Sequence, residues 1–155
     1  MTREGYIVKI KYKSDETGYC VMYVEGEDGE EIFVGTLPGA SEGLYVIAEG
    51  EYVNHPQYDI QFQFTSCEIQ MPKDIVGIER YLGSGVIKGI GAVLAKRVVK
   101  KFKEDTLRIL EQEPERLAEV NGISERKAQA IAVSYMEKKE FQDVAIFLAQ
   151  YGISV

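Results

Sequence analysis

Two short stretches of this chain repeat one another in register. Lys88-Gly89-Ile90-Gly91-Ala92-Val93-Leu94-Ala95-Lys96-Arg97-Val98 is echoed by Asn121-Gly122-Ile123-Ser124-Glu125-Arg126-Lys127-Ala128-Gln129-Ala130-Ile131. Gly89 aligns with Gly122, Ile90 with Ile123, Ala95 with Ala128 and Val98 with Ile131. In each copy a glycine, an apolar residue and a small residue open a helix. A helix leaves its first N–H groups without internal partners, and its dipole adds about half a positive charge at that end. A glycine just before it lets an anion approach the backbone, because no β-carbon intervenes. The chemistry expected is phosphate binding, by Gly89 and Gly91 at the first turn and by Gly122 and Ser124 at the second. Ile90 and Ile123 are expected to pack inward and hold the turns. This is the sequence form of a helix-hairpin-helix, and two copies related by local symmetry suit the two strands of a DNA duplex.

The helix after the first turn strengthens that reading. At about 100° per residue, Leu94, Ala95, Val98, Val99 and Phe102 fall on one side, with Lys96, Arg97, Lys100, Lys101 and Lys103 on the other. A solvated helix face normally mixes signs, since opposite charges one turn apart support each other. Five cations without a carboxylate expect an anion. The predicted phosphate contacts are therefore Lys88, Gly89, Ile90, Gly91, Lys96, Arg97 and Lys100 from the first hairpin. Asn121, Gly122, Ser124 and Lys127 are those of the second. The second is the weaker, because Ser124 replaces a glycine and Glu125 follows it, with Arg126 and Lys127 compensating in part. Contacts to phosphate carry no base information, so binding should tolerate any sequence and weaken steeply with salt.

Motifs for catalysis are missing. Gly83-Ser84-Gly85-Val86-Ile87-Lys88 faintly resembles a dinucleotide fingerprint, but it lacks the third glycine and follows a helix. No Gly-x-x-x-x-Gly-Lys-Ser/Thr occurs, and one histidine with no Cys-x-x-Cys speaks against zinc. His55, between Asn54 and Pro56, reads as a structural hydrogen-bonder. No catalytic residue, metal or cofactor is expected for this segment.

The supporting elements follow from composition and period. The 155 residues are 45% hydrophobic and 28% charged, an ordinary globular balance, and no apolar run could cross a bilayer. Cys20 and Cys67 sit in strand-like runs and read as reduced core thiols of a cytoplasmic, nucleoid-associated protein. The net charge of −7 hides a segregation: residues 1–72 carry 4 basic and 13 acidic side chains, while 86–103 carry six cations and no acid. The period is two up to Met71, with Tyr6, Val8, Ile10 and Tyr12 alternating with Ile7, Lys9, Lys11 and Lys13. Further runs lie around 20–24, 32–34, 44–53 and 60–64. Five short strands fit a closed barrel, which leaves no edge to aggregate, of the oligonucleotide-binding (OB) type first and the SH3 type second. Its aromatics Tyr12, Tyr19, Phe33, Tyr52, Tyr58, Phe62 and Phe64 include candidate stacking platforms for single-stranded bases, though alternating strand aromatics are more often core. From Asp74 the period is helical, with helices expected near 74–82, 91–102, 105–112, 114–119, 125–138 and 140–150. The expected fold is α+β in two parts: a small five-stranded antiparallel OB-fold-like β-barrel (1–72) followed by an all-α tandem helix-hairpin-helix domain (73–139). Residues 140–155, ending Tyr151-Gly152-Ile153-Ser154-Val155, read as the start of a further, truncated hairpin unit of a longer chain.

Several stretches resemble the N-terminal region of stand-alone RecD-like DNA helicases, the bacterial family related to the exonuclease V alpha subunit. They are Val34-Gly35-Thr36-Leu37-Pro38-Gly39, Gly50-Glu51-Tyr52-Val53-Asn54-His55-Pro56-Gln57-Tyr58 with Gln61-Phe62, and Gly77-Ile78-Glu79-Arg80-Tyr81-Leu82-Gly83-Ser84-Gly85-Val86-Ile87-Lys88-Gly89-Ile90-Gly91. Tyr52 and Asp59 depart from the tryptophan and glycine the resemblance leads one to expect, as does Ser124 from glycine. The resemblance implies an accessory module of a 5′–3′ helicase of DNA repair or recombination. Its ATP and Mg would belong to RecA-like motor domains outside this chain. Implied partners are DNA, as duplex or single/double-strand junction without sequence preference, and those motor domains. The acidic barrel could instead dock a basic protein partner; no membrane partner is expected. The alternatives are a Holliday-junction-type DNA-binding module and a pure protein-docking domain.

Overall fold

A computed structural model describes residues 1–57 and 59–150. Five strands come first: β1 (Thr2–Lys13), β2 (Tyr19–Gly26), β3 (Gly29–Thr36), β4 (Tyr45–His55) and β5 (Asp59–Gln70). They close into a barrel in the order β1-β2-β3-β5-β4. Four of the five pairings are antiparallel. The fifth, β3 against β5, is parallel through Phe33↔Phe62 and Val34↔Gln63, so the expected wholly antiparallel barrel is closed by one parallel seam. Strand β1 serves two neighbours, pairing with β4 from Thr2 to Tyr6 and with β2 from Tyr6 to Lys13. Register shifts between Ile7 and Lys9, and between Ile10 and Tyr12, let it bend around the barrel. Those bulges also break the simple alternation read from sequence: Ile7 is wholly buried, whereas Tyr12 is 55% exposed.

The barrel interior is filled by Ile7, Cys20, Met22, Val24, Phe33, Leu44, Val46, Ala48, Phe62 and Phe64. Phe33 and Phe62 meet with ring centroids 5.0 Å apart, next to the parallel seam. So small a barrel demands close backbone approach. A β-carbon on Gly50 would collide with the Gln63 carbonyl and the Phe64 Cα, at the irregularity where β4 bends. Both cysteines are free thiols, and burial pushes Cys20 up to about 11 and Cys67 up to about 12.

The departures from the resemblance find local reasons. Asp59 has φ +59, a left-handed conformation in which glycine is relaxed and aspartate tolerated. Tyr52 lays its ring edge-on to Phe62 at 5.1 Å and donates its hydroxyl to Glu31. His55 is structural as expected, its Nδ1 accepting the Gln57 N–H at 3.1 Å.

The helical unit spans Pro72–Val144. Its helices are α1 (Ile75–Gly83), α2 (Ala92–Phe102), α3 (Thr106–Gln112) and α4 (Glu125–Gln150), the last continuing beyond the unit. Asp74 caps α1, its Oδ1 accepting the Gly77 N–H at 2.7 Å. Residues 114–119, expected as a helix, form a 3-10 helix opened by Pro114. The break expected near residue 139 is missing, because no glycine or proline interrupts α4 and Lys139 is held to Glu111 at 2.7 Å. The Gly-Ile-Ser turn expected at 152–154 lies outside the described residues. The core joins Ile78, Tyr81, Leu82, Val98, Ile109, Leu110, Leu117, Ala128, Ile131 and Tyr135. Burial pushes Tyr81 up to about 12.

Two outcomes follow. Replacing Gly50 with alanine should cost the barrel more than about 3 kcal/mol, because the added carbon meets backbone rather than a movable side chain; a urea melt followed by β-sheet circular dichroism reads it, and an unchanged midpoint would be wrong for this packing. Cys20, Cys67 and Tyr81 are neutral when protonated, and their folded-state pKa values lie above the ordinary 9.0 and 10.0. Stability from their burial is therefore intact below pH about 9 and lost as pH rises through about 11 to 12. Melting temperature should fall across that window, and a flat profile to pH 12 would contradict it.

Candidate nucleic-acid interface

Both glycine turns exist, and each is seated on the helix that follows the other turn. Gly89 has φ +89, and a β-carbon there would lie 3.1 Å from Cγ1 of Ile131 in α4. Beside it the Lys88 N–H donates to Ser134 Oγ, also in α4, at 2.9 Å. Gly122 has φ +98, and its missing β-carbon would lie 3.0 Å from both Leu94 Cδ2 and Arg97 Nη1 of α2. The Arg97 guanidinium donates through Nη1 to the Asn121 carbonyl at 3.1 Å. The sequence repeat is thus a reciprocal clasp. As expected, Ile90 and Ile123 are buried, at 4% and 5% exposure, so Ile90 can offer a phosphate only its backbone.

The first turn is open. Gly91 is the N-cap of α2, with no side-chain cap, no acidic residue in the first helical turn, and nothing within 4 Å of where its β-carbon would stand. Its carbonyl accepts the Ala95 N–H at 2.9 Å, which starts the helix. Among the described residues, the N–H groups of Ile90, Gly91, Ala92, Val93 and Leu94 have no partner in the turn or from a side chain. Gly89 and Gly91 are exposed, as is Lys88. Unsatisfied, exposed amides at a helix start draw an anion by direct hydrogen bonding and by the helix dipole together.

The cations divide. Lys96 and Lys100 are exposed on α2, and among the described residues no carboxylate is within 4.0 Å of them or of Lys88. Lys101 is partly neutralised by Glu119 at 3.7 Å. Lys103 ends α2 with φ +49, a strained position for a side-chain-bearing residue. At the second turn Asn121, Gly122 and Ser124 are exposed while Lys127 is half-buried. Ser124 Oγ accepts the Lys127 N–H at 3.1 Å, and the Ile123 N–H is taken by the Val120 carbonyl at 3.1 Å. The second turn therefore has fewer free donors, and Glu125 stands in the first turn of α4.

Sequence reasoning missed Ser134. It is a lone small polar residue on the buried face made by Ala128, Ile131 and Tyr135, and it is 7% exposed. A hydroxyl at such a position signals a backbone group needing a partner. In the barrel, Phe33, Phe62 and Phe64 are core, whereas Tyr12 and Tyr19 are exposed with ring centroids 6.4 Å apart. Tyr58 lies outside the described residues.

Residues 1–72 match the family described as the OB-fold domain of the ATP-dependent DNA helicase YrrC. Residues 81–134 match the SAM-like helix-hairpin-helix tandem. Over 142 residues the chain is 29% identical to the ATP-dependent RecD2 DNA helicase of Deinococcus radiodurans, covering 86% of this chain. The chain matches the N-terminal region of RecD-like DNA helicases. It spans about a fifth of the length of that relative. No solved structure matches it significantly. The RecD-like helicase match covers an OB domain and a hairpin tandem and includes no motor domain. Among the described residues no cluster of His, Cys, Asp or Glu is placed to hold a metal ion, and no helix is long and apolar enough to cross a membrane.

Removing the Ser134 hydroxyl as Ser134→Ala should strand the Lys88 amide and destabilise the helical unit by about 1 to 3 kcal/mol. Hydrogen exchange reads this most directly: the Lys88 amide should lose protection, and an unchanged rate would show that Ser134 does not hold the turn.

Proposed function

We propose that this chain is the DNA-binding accessory module of an ATP-dependent 5′–3′ helicase, gripping the sugar-phosphate backbone without reading sequence. One observation carries the reading: the uncapped N-terminus of α2 at Gly91, with open amides next to Lys88 in sequence, on a helix that also exposes Lys96 and Lys100. Phosphate oxygens satisfy those donors, and the neighbouring cations supply the counterion release that makes such binding favourable. ATP and Mg act in motor domains beyond this segment, with DNA repair or recombination in the bacterial cytoplasm as the setting. The hairpins would hold DNA near the point where the motor meets a single/double-strand junction.

The barrel supports a second, compatible role. Its β2–β3 hairpin gathers Glu25, Glu27, Asp28, Glu30 and Glu31, and Arg3 is held there by Asp28 at 3.1 Å and Glu31 at 3.3 Å. A polyanion is repelled by such a surface, whereas a basic protein partner or the parent's own motor domains would be attracted.

Gly91→Asp separates binding from stability. Space is free for the side chain, and aspartate is a better N-cap than glycine, so the fold should be unchanged or slightly firmer. The new carboxylate occupies the anion's place, so affinity for a short duplex should fall roughly tenfold or more, the scale of one lost charge-assisted hydrogen bond. Fluorescence anisotropy with melting temperature as control measures both. Equal affinity in wild type and variant would remove the first turn from the interface.

A further inference from the structure

The second turn lacks what makes the first a simple anion cradle. Two of its amides are engaged, those of Ile123 and Lys127, and Glu125 brings a negative charge to the start of α4. A carboxylate there offsets the same positive helix end that a phosphate would use. What stands at this turn is a side chain from the other hairpin. Arg97 of α2 donates to the Asn121 carbonyl at 3.1 Å, and its Nη1 lies against the bare face of Gly122. Gly122 is held to glycine by its φ of +98, and a β-carbon there would also lie 3.0 Å from the side-chain ends of Arg97 and Leu94, which would have to give way.

The chemistry of that guanidinium is unspent. One of its five N–H donors serves Asn121, and among the described residues no carboxylate pairs with it. Its neighbour Lys101, by contrast, already faces Glu119. A carbonyl anchor on one nitrogen fixes the plane of a rigid fork, which matches two phosphate oxygens in a way a lysine point charge does not.

We propose that Arg97, a residue of the first hairpin's helix, is the phosphate-positioning residue of the second hairpin. This rests on the DNA-binding reading above. The two hairpins then work by different chemistry, the first with backbone amides and the second with a side chain borrowed across the clasp. The repeat is symmetric in backbone and asymmetric in what it offers a phosphate.

The test titrates the full chain with a short fluorescent duplex at several salt concentrations. Arg97→Lys keeps the charge and should still weaken binding several-fold, more than Lys100→Ala does. Arg97→Gln keeps a donor for Asn121, should keep the melting temperature, and should lose about one phosphate contact from the salt slope. Arg97→Lys combined with Lys127→Ala should be non-additive, since both serve one turn, whereas combined with Gly91→Asp the losses should multiply. Full affinity in Arg97→Lys, or a folded Arg97→Gln that binds as well as wild type, would overturn the proposal. If Gly91→Asp also leaves binding unchanged, the reading of the hairpins as the DNA-binding site itself fails; if Gly91→Asp weakens binding and the Arg97 variants do not, only the role of Arg97 falls.

Discussion

The reciprocal seating of two glycine turns on two helices is the constraint from which the helical unit follows. Each turn needs a left-handed residue, at Gly89 and Gly122, and each needs room for a side chain from the other hairpin, Ile131 in one case and Leu94 with Arg97 in the other. A β-carbon at either glycine would be conformationally strained and would press on a neighbouring side chain of the other hairpin. The turns are then locked by one hydrogen bond each across the clasp, Lys88 to Ser134 and Arg97 to Asn121. Rigidity matters because the amides that follow Gly91 are useful to an anion only if they are held in place before it arrives. Pre-ordered donors spare the ordering cost that a mobile loop would incur on binding.

The barrel obeys a different constraint. Five strands closing on themselves bring backbones so near that side chains are excluded at Gly5 and Gly50, while the Phe64 ring excludes one at Gly35. The parallel seam at Phe33 and Phe62 completes the closure. Charge then separates the two parts by chemistry. The strands carry the excess of acid, and the helix after the first turn carries cations with little acid near them. A polyanion is directed to the helical part by this segregation alone.

Much of this was legible in the residues. The two-residue period up to Met71 and the helical period after Asp74 correspond to strands and helices, and the glycine-isoleucine repeat corresponds to two real turns with buried isoleucines. What escaped the sequence has physical causes. The phase of β1 was obscured by two bulges, which leave no mark in a hydrophobic pattern. The helix near 139 runs on because a Lys-Glu-rich stretch has no breaker. Ser134 and the Arg97–Asn121 bond depend on residues far apart in sequence, between which spacing carries no information. Asp59 and Tyr52, odd against the helicase resemblance, make sense only with φ +59 and the Phe62 packing known.

Following each backbone amide of this 17.4 kDa chain by NMR during titration with a short DNA duplex would test the central claim most directly. The largest shifts should fall at Ile90, Gly91, Ala92 and Val93, and they should shrink as salt is raised. Binding that leaves those amides unmoved, with shifts confined to the barrel strands, would contradict it.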